Sequence, residues 1–194
     1  GAYFDNVVKS GAYSRSGLFT DYSRPFVEMA GKTLGIIGLG AIGTKVAKIG
    51  TAFGMKVIYY STSGTNHNTE YPSVPLDRLM READVISVHA PYNERTAGLV
   101  GERELRMMKP KAIIVNMGRG GIVVEDALAK VIDEGVIGGA ALDVYSVEPI
   151  PADHPLLHTR HPERLSLTPH IAWASVEARE RLIQSIADNI AKGF

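Results

Sequence analysis

Residues 33–48 read Thr33-Leu-Gly-Ile-Ile-Gly-Leu-Gly-Ala-Ile-Gly-Thr-Lys-Val-Ala-Lys48, followed by Ile49-Gly-Thr-Ala-Phe-Gly-Met55 and Lys56-Val-Ile-Tyr-Tyr-Ser61. An apolar run over 34–37 meets Gly38-Leu39-Gly40-Ala41-Ile42-Gly43, and apolar residues then recur at Ile42, Val46, Ala47, Ile49 and Phe53, the spacing of a helix. The stretch predicts a strand, a glycine turn and a helix, with Gly54 as the helix's left-handed stop and 55–60 as the next buried strand. Gly38 permits the tight turn, Gly40 lets the backbone approach a pyrophosphate, and Gly43 lets the helix pack close on the strand. Unpaired N–H groups at the helix start would face the anion. With twenty glycines in the chain a bare GxGxxG arises easily by chance, and it is the frame of strand, helix and strand that makes this one specific.

The 194 residues are 45% apolar, enough to bury one substantial core and too few for two full domains. Twenty-one basic residues balance twenty-one acidic ones, so composition makes no electrostatic case for nucleic acid or an anionic membrane, and a small-molecule partner is expected. The sequence has no cysteine, no charged-then-apolar leader, no apolar run long enough to cross a bilayer and no Asn-x-Ser/Thr acceptor, from which a cytoplasmic location is expected. No metal site is expected.

Residues 1–30 stand outside the alternation that follows: 3–8 read as the end of a helix, and 11–25, rich in Gly, Ser and aromatics, as a connection. Gly31-Lys32-Thr33 resembles the tail of a phosphate loop, but the required upstream glycine is Phe26, which rules the pattern out. Beyond the opening unit, 71–75 read as a loop, 76–82 as a short helix and 84–89 as a third strand. A helical turn or two over 102–108 precedes a fourth strand at 112–116, apolar almost throughout as a strand covered on both faces must be. Residues 124–134 have helical spacing, 138–144 make a fifth strand and 165–168 a short sixth. Residues 175–192 make a closing helix, with Val176, Leu182, Ile183, Ile186 and Ile190 expected inward. Strand alternates with helix, so an α/β fold with a doubly wound parallel sheet and right-handed crossovers is expected.

In such a sheet ligands bind beyond the carboxyl ends of the strands, where strand order reverses. His89 closes strand three, Asn116 and Arg119 follow strand four, Asp143 and Glu148 follow strand five, and His170 follows strand six. A histidine, a carboxylate and an arginine beside a dinucleotide site are the parts a carbonyl reduction needs. Hydride arriving at carbon develops charge on oxygen, and imidazole is a proton donor of suitable pKa. A carboxylate on the far ring nitrogen fixes the tautomer and favours the charged form. A guanidinium grips a planar carboxylate with two parallel hydrogen bonds, which lysine cannot do.

Gly38 to Gly43, His89-Ala-Pro91, Val115-Asn-Met-Gly-Arg-Gly-Gly121, Asp143-Val-Tyr-Ser-Val-Glu-Pro149 and Thr168-Pro-His-Ile-Ala172 resemble, in order, the signatures of the D-isomer-specific 2-hydroxyacid dehydrogenases. The resemblance runs from about Tyr3 to Phe194. It implies a Rossmann-type sheet of about six strands in the order 3-2-1-4-5-6, with helices on both faces. It also implies that Arg119 holds the substrate carboxylate, His170 is the general acid/base, Glu148 pairs with that histidine and Asp143 lies by the nicotinamide. Glutamate at 148, where relatives that oxidise formate carry glutamine, argues for hydroxy-acid chemistry. Implied cofactor contacts are Gly38, Leu39, Gly40, Ala41, Ile42 and Gly43 in the glycine turn, then Ser61 and Thr62 after strand two. His89, Ala90, Pro91 and Thr96 follow from the third strand and its loop, Asn116, Met117, Gly118 and Arg119 from the fourth, and Asp143, His170 and Ala172 from the last two.

Two departures from the family pattern shape the expectation. The preceding segment and C-terminal return that make the family's substrate-binding domain are absent, so 1–30 is expected to be an interdomain connection, 31–194 the NAD(P)-binding domain, and the whole a piece of a longer enzyme. Strand two ends in Ser61-Thr62-Ser63-Gly64, without the aspartate that NAD-preferring members set on the adenosine ribose. Between Ser61 and Glu70 there is no carboxylate and no Arg or Lys, leaving His67 as the one local cation, so use of both NAD and NADP is expected. The expected function is hydride transfer between nicotinamide and a small 2-oxo or D-2-hydroxy acid such as hydroxypyruvate or glycerate, in a homodimer. The alternative is a non-catalytic dinucleotide-sensing module resembling a co-repressor.

Overall fold

The computed structural model describes residues 2–66 and 68–193; the expectation placed on His67 lies outside them. Six strands form one sheet: β1 (Thr33–Ile37), β2 (Lys56–Tyr60), β3 (Val85–Val88), β4 (Ile113–Asn116), β5 (Gly139–Leu142) and β6 (Leu165–Leu167). Every pairing is parallel, and the order is β2-β1-β3-β4-β5-β6. The helices are α1 (Ala2–Lys9), α2 (Ala12–Ser16), α3 (Ala41–Ala52), α4 (Leu76–Glu82), α5 (Glu102–Leu105), α6 (Glu125–Asp133) and α7 (Val176–Ala191).

The expected order 3-2-1-4-5-6 is therefore corrected, since β3 lies beside β1 and not beyond β2. The position outside β2 is held by a single parallel bridge, Tyr59 to Ser73. Pro72 accepts there from the Tyr59 N–H but has no N–H of its own to continue a ladder. The outer strand of the classical order is thus reduced to one residue pair. Counted as a strand, it would restore that order.

Alternating residues of β1 feed two apolar layers. Leu34 and Ile36 pack with Ala47, Val57 and Tyr59, while Ile37 joins the larger core with Leu79, Ile86, Ile114 and Leu128. This two-sided burial explains why β1 reads as an unbroken apolar run. The helix α3 docks through Gly43, Ala47 and Gly50, its buried residues, and leaves Ile42, Ile49 and Phe53 exposed. Small residues bring the helix axis close to the sheet, so the sequence period locates the helix while its smallest residues choose the docked face.

The inward expectation for α7 is overturned: the helix buries no residue, and Val176, Leu182, Ile183, Ile186 and Ile190 are all exposed. An amphipathic period records that one face prefers cover without saying what covers it. At the other end, α2 arises inside the stretch expected to be irregular, bounded by Gly11 and Gly17, both left-handed.

Candidate active site

With β2 on one side of β1 and β3 on the other, the crossovers diverge at the carboxyl ends of β1 and β3, opening a crevice at the switch point. The turn leaving β1 runs along it. Gly38 has φ 92°, and a Cβ there would lie 3.0 Å from the Ala90 nitrogen, so the turn passes too close to the end of β3 for any side chain. A Cβ on Gly43 would sit 2.3 Å from the Gly38 carbonyl oxygen. One on Gly40 would meet nothing within 4 Å: this backbone borders open space. Gly40 caps α3 without a side-chain bond, which leaves the first N–H groups of the helix, from Ala41 and Ile42 onward, to an anion.

Three cavities follow one another along the carboxyl edge. The first, about 490 Å³, is lined by Gly38, Leu39, Gly40, Ser61, Thr62 and the loop beyond β3. The second, about 420 Å³, shares His89 and Pro91 with it and adds Ile42, Ala90, Met117 and Gly118. The third, about 530 Å³, shares Tyr92 and Arg119 with the second and adds Tyr145, Glu148 and His170. The shared walls make an elongated groove from the end of β2 to the end of β6.

At its far end the imidazole Nδ1 of His170 lies 2.6 Å from Glu148 Oε2, and the Tyr145 N–H donates to Glu148 Oε1 at 2.9 Å. The hydrogen bond from His170, then that from Tyr145, holds the Glu148 carboxyl below its ordinary pKa. His170 has φ 53°, a left-handed conformation that costs energy outside glycine and concentrates at functional sites. Asp143 braces this turn from beneath. Its Oδ1 accepts from the Thr168 hydroxyl (2.6 Å) and the Ile171 N–H (2.8 Å), and its Oδ2 from the Ala172 N–H (2.8 Å). Burial pushes the Asp143 pKa up, but those three donors and the nearby His170 outweigh it and hold the group below its ordinary value.

Arg119 is carried by a turn that Asn116 braces, its Oδ1 accepting from the Gly118 N–H and its Nδ2 donating to the Arg119 carbonyl, both at 3.0 Å. The guanidinium is exposed and donates to the Gly118 carbonyl oxygen at 2.8 Å. Gly120 explains how this turn reaches the next loop: a Cβ there would overlap the Tyr145 carbonyl, 1.9 Å from both its carbon and its oxygen. Buried Glu125 fixes the 145–148 loop from the other side, accepting from the Ser146 N–H (2.6 Å) and Ser146 hydroxyl (2.9 Å), with His154 Nε2 at 2.9 Å from its Oε2.

Not every expected residue lines the groove directly. Thr96 is fully buried, its hydroxyl donating to the Pro91 carbonyl (2.7 Å) and accepting from the Asn93 N–H (2.9 Å), so it shapes the loop from inside. Asp143 and Ala172 are joined to each other within the His170 turn. His89 is largely buried with Nε2 2.8 Å from the Ser87 hydroxyl, while its Nδ1 is buried without a partner among the described residues. Burial lowers its pKa and favours the neutral ring. Sequence reading missed Glu125, Ser146, Asn66 and Arg95. Asn66 donates to the Leu39 carbonyl at 2.7 Å and pins the segment after β2 onto the glycine turn. Arg95 enters the same region from 32 positions beyond Ser63, a distance at which no local motif signals contact.

The open Gly40 backbone, the uncapped helix start and the unpartnered His89 Nδ1 fit an extended ligand with a central anion. A parallel sheet with this turn at its switch point defines a dinucleotide-binding domain. The chain belongs to the D-isomer specific 2-hydroxyacid dehydrogenases, as an NAD-binding domain of that family, whose model matches residues 2–172. It is 46% identical to a glyoxylate reductase of Aeropyrum pernix over 84% of this chain and 49% of that protein. It is 38% identical to a glycerate dehydrogenase of Methylorubrum extorquens over 96% of this chain and 58% of the relative. Among solved structures, D-lactate dehydrogenase from Aquifex aeolicus, complexed with NAD and lactic acid, superposes with a TM-score of 0.81 at 29% identity, covering 96% of this chain and 61% of that one. The chain spans about half the length of the curated relatives it matches. These relatives are named as a reductase and dehydrogenases, which gives the co-repressor-like alternative no support. Among the described residues no helix is long and apolar enough to cross a membrane.

Proposed function

We propose that the protein transfers a hydride between NAD(H) or NADP(H) and a small 2-oxo or D-2-hydroxy acid, with glyoxylate and hydroxypyruvate the first substrates to test. The observation that carries this is the third cavity, where Arg119, Glu148 and His170 line one space of about 530 Å³ at the end of a groove leading from the glycine turn. When bound, the nicotinamide supplies or takes up the hydride at the acid's C2. Arg119, freed from the Gly118 carbonyl, forks onto the acid's carboxylate and so orients the neighbouring carbonyl. His170, with Nδ1 held by Glu148, presents Nε2 to the C2 oxygen and gives it a proton on reduction or takes one on oxidation. Glu148, held against Nδ1, fixes the ring's tautomer and orientation. The Asp143 brace keeps the His170 turn in place.

The cofactor contacts proposed are the glycine turn from Gly38 to Gly43, Ser61 and Thr62 in the first cavity, and His89 to Pro91 with Met117 and Gly118 in the second. Thr96, Asn116, Asp143 and Ala172 act through the loops they brace. Residues 31–194 are read as the dinucleotide domain and 1–30 as a connection, supported by a sheet that begins at Thr33. The rest of the substrate pocket is assigned to sequence that the relatives have beyond the half this chain spans. Homodimerisation and a cytoplasmic location complete the reading. The first is supported by the exposed Ile49 on α3 and the exposed Phe53 just after it and is tested by sedimentation, the second by cell fractionation. The functional test is spectrophotometric: the full-length enzyme should oxidise NADH or NADPH with glyoxylate or hydroxypyruvate, and lose that activity with His170→Asn. Tight dinucleotide binding without turnover of any 2-oxo acid would sink the proposal.

A further inference from the structure

The end of β2 lacks both a carboxylate and a local cation from Ser61 to Asn66, and the fold supplies the cation from elsewhere. Arg95, on the loop after β3, donates from Nη1 to the Ser63 carbonyl oxygen at 2.8 Å. The contact draws its guanidinium to the wall of the first cavity, which Ser61 and Ser63 also line. A carbonyl holds the group and cannot neutralise it, so its charge and its remaining N–H donors stay available to an anion.

The two serines are arranged to help. Ser61 Oγ accepts the Gly64 N–H at 3.1 Å, and Ser63 Oγ accepts the Thr65 N–H at 3.2 Å. An oxygen whose lone pair is used this way keeps its own proton to donate. The Ser61 and Ser63 hydroxyls, 3.5 Å apart so that one can donate to the other and the second outward, converge with one planar cation beyond β2, the place that meets the adenosine ribose in a dinucleotide fold. A carboxylate in that position would accept from a 2′-hydroxyl and repel a 2′-phosphate, whereas donors and a guanidinium do the reverse. Glu94 lines the same cavity and opposes an added anion, which sets a second, independent handle on the balance.

We propose that Arg95, with Ser61 and Ser63, forms a seat for the 2′-phosphate of NADPH and is the residue that decides between the two dinucleotides. The proposal rests on the dinucleotide-binding reading of the groove and goes beyond it by naming the discriminating group on a different loop from the one that carries the ribose contact.

The test is isothermal calorimetry of the protein with NADH and NADPH, and with 5′-AMP and 2′,5′-ADP as minimal probes, read as the ratio of dissociation constants. NADPH should bind at least as tightly as NADH. Arg95→Ala should shift the ratio about tenfold or more towards NADH, the scale of one charged hydrogen bond. Arg95→Gln, which keeps a donor for the Ser63 carbonyl but no charge, should shift it the same way, and Glu94→Gln the opposite way. A ratio unmoved by both Arg95 variants, or NADH binding without NADPH binding, overturns the seat while leaving the dinucleotide site intact. Binding of neither dinucleotide overturns the underlying reading and the seat with it.

Discussion

His170 Nδ1 and Glu148 Oε2 lie 2.6 Å apart, although 22 residues and two loops separate them, because Asp143 holds one loop and Tyr145 the other. The pair engages Nδ1, which leaves Nε2 for the acid/base role proposed for the histidine. In the full-length enzyme His170→Asn should lower turnover about a hundredfold or more, the usual effect of losing a positioned acid/base, with dinucleotide binding retained. Glu148→Gln should act more mildly, because the amide can still meet Nδ1 but no longer gives it a charged acceptor. Steady-state kinetics across pH with calorimetry alongside checks both, and retained turnover in His170→Asn would remove the assignment.

How much of this was legible beforehand depended on whether the signal was local. The glycine turn, the strand ends and the order of the motifs were readable because each residue's neighbours in sequence are also its neighbours in space. The strand order was not, since the outer strand shrank to one Tyr59–Ser73 bridge that no period can register. The stripe on α7 was read as core and stands exposed, because patterning reports preference for cover and not its source. Arg95 was invisible for a different reason: it faces Ser63 through a tertiary contact between two loops, neither of which carries a motif for the other.

Arg119→Lys keeps the charge and loses the planar fork. Apparent affinity for the 2-oxo acid should fall by about 1–3 kcal/mol, the scale of a hydrogen bond to a charged group, with dinucleotide affinity little changed. Collapse of dinucleotide binding instead would make Arg119 a phosphate ligand.

Acid should loosen the His170 turn before the sheet. Asp143 and Glu148 both have folded-state pKa values below their ordinary ones. Each therefore contributes stability that is present above its unfolded value and lost as pH falls through the lower folded value, so the loss begins below about pH 4. Asp143→Asn places an amide where backbone N–H groups need an acceptor and should cost about 1–3 kcal/mol at neutral pH, while flattening the acid limb. Thermal melts from pH 7 to pH 2 would show it, and an unchanged acid limb would mean that Asp143 is not the group responsible.

The 194-residue chain by itself should bind dinucleotide and turn over little or no hydroxy acid. The glycine turn, the cavity beyond β2 and the Glu148–His170 pair all lie within it, so on the proposed roles neither the cofactor seat nor the proton donor would limit it. The limit is the open side of the third cavity, where Arg119 and His170 face solvent. Water there competes for the guanidinium and screens the charge it presents, and nothing holds the acid's C2 against the hydride path. Alignment of reactants accounts for about 7–11 kcal/mol of a barrier in well-oriented systems, so losing half of it costs several powers of ten in rate. Calorimetry with NADH and NADPH, run beside an assay with hydroxypyruvate on the same sample, separates binding from turnover. Turnover within about tenfold of the full-length enzyme would show that these residues enclose a complete site, and that the length found in the relatives serves some other purpose.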